Sequence, residues 1–431
     1  MIYIVDNQLH FNFTSIADRV ELLVKQKIQA TLEHLVSEDR LASVDQLFKT
    51  HHAYRNASTV TRQRAASKVL ALSPEAIRDA IINCIYPYSY VGRGGKMNVG
   101  GGISFMRTLR IPDDGKTYPL PPGLGRFSLR RVDDYCRRVP QQWLSQGGVM
   151  LPIYQAEALW LNFAGDYPIA LRVATGKIDS VTGKAWRPGL NQDPQNYLIL
   201  PEQPWLDGYC VEKGFIRQFV AMPLGKGYTV EEQITGTAEY GGLQLEAYPL
   251  KAEVHFRESI EGRFPQSLVQ LLPRLVPPEP DHRLSESRAA MDCYCAAPEM
   301  GLGAGGRMQQ EIYEDWRELE DWNQELRCGC FVHFCNSQMW SRITGGKPPH
   351  RPITAKAYSD YGLPWFDYYR EDLGTLPGSK VLNQIRTVNE IAREEGDDVS
   401  DDDEPVSPSI VIQYGQKRRP DEVREWLDDY C

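Results

Sequence analysis

From Val149 to Tyr248 the sequence alternates short apolar runs with glycine-bearing turns, and this rhythm limits the possible folds more than any other feature of the chain. The runs are Val149 to Tyr154, Ala158 to Phe163, Pro168 to Ala174, Lys177 to Val181, Tyr197 to Leu200, Phe215 to Met222 and Leu243 to Tyr248. Gly165-Asp166, Thr175-Gly176, Thr182-Gly183, Gly225, Gly227, Gly241 and Gly242 punctuate them. Turns this short join antiparallel neighbours, whereas parallel strands need crossovers of a dozen residues or more. The expectation is a mainly antiparallel β-rich domain, sandwich or barrel-like, rather than a parallel nucleotide-binding sheet. Before Leu243, Thr229 has the type and spacing to cap one helical turn, with Glu232 completing a capping box and Gly236 ending the turn.

On either side the pattern changes. Apolar residues Ile16, Val20, Leu23, Val24, Ile28, Leu32 and Leu35 recur at helical spacing, and Ser73-Pro74-Glu75 is a helix start, so residues 1–90 are expected to form a helical unit. The β-rich domain follows over 103–276, up to the linker Pro277-Pro278-Glu279-Pro280. Residues 288–393 form a mixed α/β segment expected to pack on it, with Val381 to Glu395 as an amphipathic helix. Residues 394–431 are expected to be an acidic, disordered tail with a short terminal helix. The class is α+β, with helices appended to a sheet.

The net charge of -9 disfavours nucleic acid as a partner, and Arg55, Arg62, Arg64 and Lys68 are expected to form a solvated helix face. No run of about 18 apolar residues is present for a membrane helix. The N-terminus has no basic region ahead of a long apolar run, and the nine cysteines are odd in number, so free thiols in the cytoplasm are expected.

Phosphate-binding glycine motifs fail on inspection. In the glycine-rich stretch 86–102, Met97 follows Gly95-Lys96 where a P-loop needs Ser or Thr, and Gly301-x-Gly303-x-x-Gly306 lacks a convincing strand before it. It is expected to be a loop leading to a helix near Met308. Nucleophile signatures are absent. Cys293, Cys295, Cys328, Cys330 and His333 lie close enough in sequence to hold zinc, but the pairs are C-x-C, and period two puts Cys328 and Cys330 on one strand face and His333 on the other. The preferred reading is buried thiols and no cofactor, with a metal-assisted Cys/His enzyme as the alternative. The binding candidates are Glu231, Glu232, Tyr240, Trp365 and Tyr368, polar and aromatic groups on glycine-punctuated connections beside a sheet.

The segments Arg107 to Gly115, Tyr118 to Gly125, Gly227 to Gly236, Gly241 to Gln244 and Gly362 to Tyr369 together resemble a family of bacterial and fungal proteins with no known function. The resemblance implies no activity, cofactor or catalytic residue. The expectation is a binding or interaction protein, with a protein or small-molecule partner and no membrane.

Overall fold

The computed structural model describes residues 1–23, 26, 99–121, 123–165, 167–261, 299–350, 365–368, 373–397 and 411–414. The first strands are β1 (Ile2–Val5), β2 (Gln8–Asn12), β3 (Gly100–Thr108), β4 (Thr117–Tyr118), β5 (Arg130–Arg131) and β6 (Val149–Pro152). Then come β7 (Ala158–Ala164), β8 (Ile169–Thr175), β9 (Ile178–Asp179), β10 (Leu198–Leu200), β11 (Trp205–Leu206) and β12 (Gly208–Glu212). The last are β13 (Phe215–Pro223), β14 (Leu243–Pro249), β15 (Met300–Gln309), β16 (Cys328–Cys335), β17 (Trp365–Tyr368) and β18 (Val411–Tyr414). Strands β1 to β16 make one sheet, whose main path runs β1-β2-β3-β7-β13-β15-β16-β14-β8-β10. Its pairs are antiparallel except β4 with β15 and β6 with β16. The protein is thus a mainly antiparallel, β-rich α+β structure, as the turn spacing requires.

The two arms of the sheet meet at a single β15–β16 pair, Met300↔Phe334. They line one core: Phe105, Leu159, Leu161 and Phe219 from one arm join Leu171, Val173, Leu198, Leu243 and Leu245 from the other. Tyr209 ties the arms together, its hydroxyl 2.8 Å from Thr175 Oγ1 and donating to the Leu302 carbonyl at 3.1 Å. The opposite face of β13 is buried too. There Val220 and Met222 pack with Val388, Ile391 and Ala392, and Ile216 packs with Trp365.

Among the described residues the helices are few and short: α1 (14–23), α2 (Gln141–Gln146), α3 (Val230–Thr235), α4 (Ala252–His255), α5 (Ser337–Thr344), α6 (Lys380–Asn383) and α7 (Val388–Glu395). The Thr229 box is present in full, with Gly236 left-handed at φ 72°. Residues 301–306 are not a loop before a helix but the middle of β15. Their glycines permit close approach on both faces: a Cβ at Gly303 would sit 2.7 Å from the Tyr228 carbonyl oxygen and 2.8 Å from Val388, and one at Gly306 2.5 Å from the Pro112 carbonyl oxygen. The residues beyond the proline linker therefore supply central strands of the sheet.

Other expectations shift as well. Residues 2–12, placed in the helical unit, form the β1–β2 hairpin, which pairs onto β3. Helix α1 follows where the periodicity puts it, and residues 27–98 lie outside the described residues. The single helix expected over Val381 to Glu395 is two, because Thr387 starts its own capping box with Glu390. Within the tail, Val411–Tyr414 pairs parallel with Trp365–Tyr368; the acidic stretch 398–404 and the terminal segment lie outside the described residues.

Past β15 the chain leaves the ladder, and glutamine side chains stand in for a partner strand. The Gln203 amide donates to the carbonyls of Trp205 and Glu311, both at 3.1 Å, while its Oε1 accepts from Tyr313 N. Gln195 does the same for Tyr197, Tyr313 and Asp315, and Gln192 donates to the Arg317 carbonyl. Gln310 reaches the other way, donating to the Trp205 carbonyl and accepting from Asp207 N. The seam satisfies buried backbone groups that would otherwise lack partners.

Asp207, at 1% exposure, has no cation paired with it among the described residues. Burial pushes its carboxyl well above the usual range, with Trp205 pulling the other way. Because the unfolded carboxyl gives up its proton first, the stability from this group is present at low pH and is lost as pH rises above about 4 through the folded value. Asp207→Asn is expected to raise stability at pH 7 by about 1 kcal/mol or more and to flatten that decline. Urea melts at several pH values test it, and a variant less stable than wild type at pH 7 contradicts it.

Candidate functional site

Residues of β8, β14 and β16 alternate between the core and the outer face of the sheet. Leu171, Val173, Leu243, Leu245, Ala247, Cys330 and Val332 point into the core. The outer face carries Arg172, Ala174, Gln244, Glu246, Gly329, Phe331 and His333. Register aligns Ala174, Gln244 and Phe331 in one row and Arg172, Glu246 and Gly329 in the next. Gly329 is exposed and a Cβ there would meet only the Leu245 carbonyl oxygen, at 3.6 Å, so the second row, buried at Arg172 and Glu246, is open at its Gly329 end.

The polar groups of this face are ordered. Arg172, 2% exposed, donates to Glu246 at 3.0 Å and to the Arg187 carbonyl at 2.6 Å, and Trp186 covers its guanidinium at 3.8 Å. Arg327 takes the other Glu246 oxygen at 2.7 Å. Burial pushes the Asp179 carboxyl up to about 6, against hydrogen bonds from Thr182 and Val181 and the charge of Arg172 at 3.7 Å.

Lys177 stands beside the first row. Its ammonium lies 5.0 Å from the Phe331 ring centre and 5.5 Å from that of Tyr240. The backbone beneath is fixed: Lys177 has φ 64°, and its N–H donates to Gln244 Oε1 at 2.7 Å. Burial lowers the Lys177 pKa, and the charge of Glu246 opposes that. Among the described residues no carboxylate pairs with this lysine. Behind Phe331 the aromatic stack continues through His333, 5.7 Å away, to Trp143, 4.4 Å further. His333 Nε2 is 2.9 Å from the Gly147 carbonyl and donates to it; burial lowers this histidine to about 4, so it is neutral at pH 7.

The proposed site residues fall into two groups. Glu231 and Glu232 organise the loop that carries Tyr240. Glu231, 2% exposed, accepts hydrogen bonds from the N–H groups of Glu239, Tyr240 and Gly241 at 2.8 to 2.9 Å. Glu232 accepts from Gly225 N and Gly227 N besides its cap partner Thr229. Both carboxylates are taken up by backbone groups: Glu231 holds Tyr240 beside Lys177, and Glu232 fixes the start of the loop.

Trp365 and Tyr368 lie elsewhere. Trp365 is buried against Tyr118, Leu120, Ile216 and Met308, near the start of β13. The loop 225–242 follows the other end of that strand, where Gly242 bonds to Met300, opposite Pro223. From Ile216 to Pro223 is roughly 23 Å at strand rise, so Trp365 and Tyr240 do not share a surface. Lys177 and Phe331 were missed by the sequence reading; nothing local marks Lys177 as left-handed, since the non-glycine residues that favour that region are Asn, Asp and His.

Of the metal candidates, Cys293 and Cys295 lie outside the described residues. Cys330 belongs to the main core, Cys328 packs at its edge with Sγ 3.3 Å from the N-terminal amine, and His333 is on the opposite face of β16. Burial pushes the Cys330 thiol up to about 12. Among the described residues no three metal-ligating side chains come together. No described helix is long and apolar enough to cross a membrane. Compared with protein-family models, curated proteins and solved structures, the chain matches none.

Proposed function

We propose that this is a binding protein whose ligand rests on the outer face of β8, β14 and β16, against Lys177, Tyr240 and Phe331. One observation carries the reading: a lysine held at a fixed backbone position between two aromatic rings, with no carboxylate paired to it among the described residues. Aromatic walls give contact area at little cost in conformational freedom, and a cation with no partner is a specific anchor. The ordered Glu246 cluster and the loop held by Glu231 supply the rigidity a preformed site needs. The shared core of the two arms supports a sandwich-like sheet over a barrel-like one. The free thiols of Cys136, Cys210, Cys328, Cys330 and Cys335 support a reducing, cytoplasmic setting.

A thermal-shift screen of small metabolites tests the proposal. Compounds that raise the melting temperature of the wild type are expected to leave Lys177→Met and Tyr240→Ala unshifted, while both unliganded variants melt within a few degrees of wild type. Compounds that stabilise wild type and variants equally would place the site elsewhere.

A further inference from the structure

Resting on that reading, we infer that the ligand is a small oxyanion, a carboxylate or a phosphate monoester, whose charged end meets Lys177 Nζ and whose flat apolar part lies on Phe331 and Tyr240 over the open row at Gly329. The charges on this face are unevenly committed. Arg172 and Arg327 are both taken up by Glu246, and Asp179 is capped by Thr182 and Val181 beside Arg172. Lys177, held beside Phe331 and Tyr240, has no carboxylate paired with it among the described residues. Its two aromatic neighbours attract the ammonium through their π faces but accept no strong hydrogen bond, so its N–H groups remain available to an oxygen ligand.

Preorganisation points the same way. The left-handed Lys177 backbone, its bond to Gln244 and the contact of Glu231 with Gly176 fix the base of the side chain before any ligand arrives. A Cβ at Gly176 would lie 2.2 Å from Glu231 Oε2, so this turn and the loop bearing Tyr240 are locked against each other. Gly329, exposed and with only the Leu245 carbonyl oxygen within 4 Å of where a Cβ would sit, leaves room for a ring next to Phe331. An anion bound here also compensates a charge that burial disfavours, so lysine and ligand stabilise each other.

The test is calorimetric titration of the full chain with benzoate, phenyl phosphate and inorganic phosphate, with benzamide as the neutral isostere of benzoate. Benzoate or phenyl phosphate is expected to bind the wild type at least about 10-fold more tightly than benzamide, a difference of about 1.4 kcal/mol. Lys177→Met should abolish that preference without lowering the melting temperature, and Lys177→Arg should keep it. Tighter binding of phenyl phosphate than of inorganic phosphate supports the aromatic seat, and equal binding overturns that part. Benzoate and benzamide binding alike, with both lost in Tyr240→Ala, overturns the oxyanion assignment while the binding surface stands. Oxyanion binding that survives Lys177→Met overturns both. Failure of both aryl oxyanions to bind at millimolar concentration overturns the ligand class, and the metabolite screen then decides the surface separately.

Discussion

Alanine at Asp315 is expected to remove about 3–5 kcal/mol of folding stability, because three buried donors lose one acceptor at once. Asp315 Oδ2 accepts from Tyr197 Oη and Trp322 Nε1, both at 2.7 Å, and Oδ1 accepts from Arg317 N at 3.1 Å. Tyr197 and Trp322 are fully buried core side chains set edge to face, and water cannot replace the lost oxygen without opening the core. Arg317 keeps Glu258 and Glu202 as charge partners, so the loss is mainly one of hydrogen bonds. Tyr197→Phe separates the contributions: it removes one donor and leaves the Trp322 bond, and should cost about 1 kcal/mol. Urea unfolding monitored by tryptophan fluorescence provides both numbers. An Asp315→Ala protein within 1 kcal/mol of wild type would show that the network is not a stabilising unit.

Glu231→Ala is expected to cost about 3 kcal/mol, for a related reason in a different place. The side chain holds three consecutive backbone N–H groups and packs over Gly176, so truncation leaves the N–H groups of Glu239, Tyr240 and Gly241 without their acceptor and opens a void. Glu231→Gln should recover about half of the loss, since one oxygen remains while the new amide faces an N–H group. The variants also bear on binding. If Tyr240 is positioned by this carboxylate, Glu231→Gln should weaken ligand binding while a lysine-to-arginine change at position 177 does not. Equal stability of the alanine variant and wild type by chemical denaturation would contradict the account.

Seven of the nine strands from Val149 to Tyr248, all but β11 and β12, could be read from the sequence because turn glycines and alternating apolar residues act locally, and the Thr229–Glu232–Gly236 cap was legible for the same reason. The β15 strand was not, since its glycines answer to Tyr228, Val388 and Pro112, all distant in the chain. β18 was not legible either, since Val411–Tyr414 lies in a segment read as a tail for its acidic block. At the site, Glu231, Glu232 and Tyr240 were identifiable as an unusual loop, yet their role was misread: chemistry-bearing residue types gave no indication that the carboxylates face inward. Lys177 and Phe331 meet only through the β8–β14–β16 register, which no local pattern encodes.

The order of strands in the sheet has a consequence for synthesis. One edge of β13 is shared by β12 and by two residues of β7, while the whole opposite edge waits for β15, and β14 likewise waits for β16. A nascent chain that has not yet passed Met300 therefore carries two long apolar strands with unsatisfied edges, Phe215–Pro223 and Leu243–Pro249. Such edges template pairing with other chains, and non-local closure of this kind is slow. Fragments ending before residue 300 should therefore aggregate on release from the ribosome, and translation has to run past Cys335 before the sheet can close on itself.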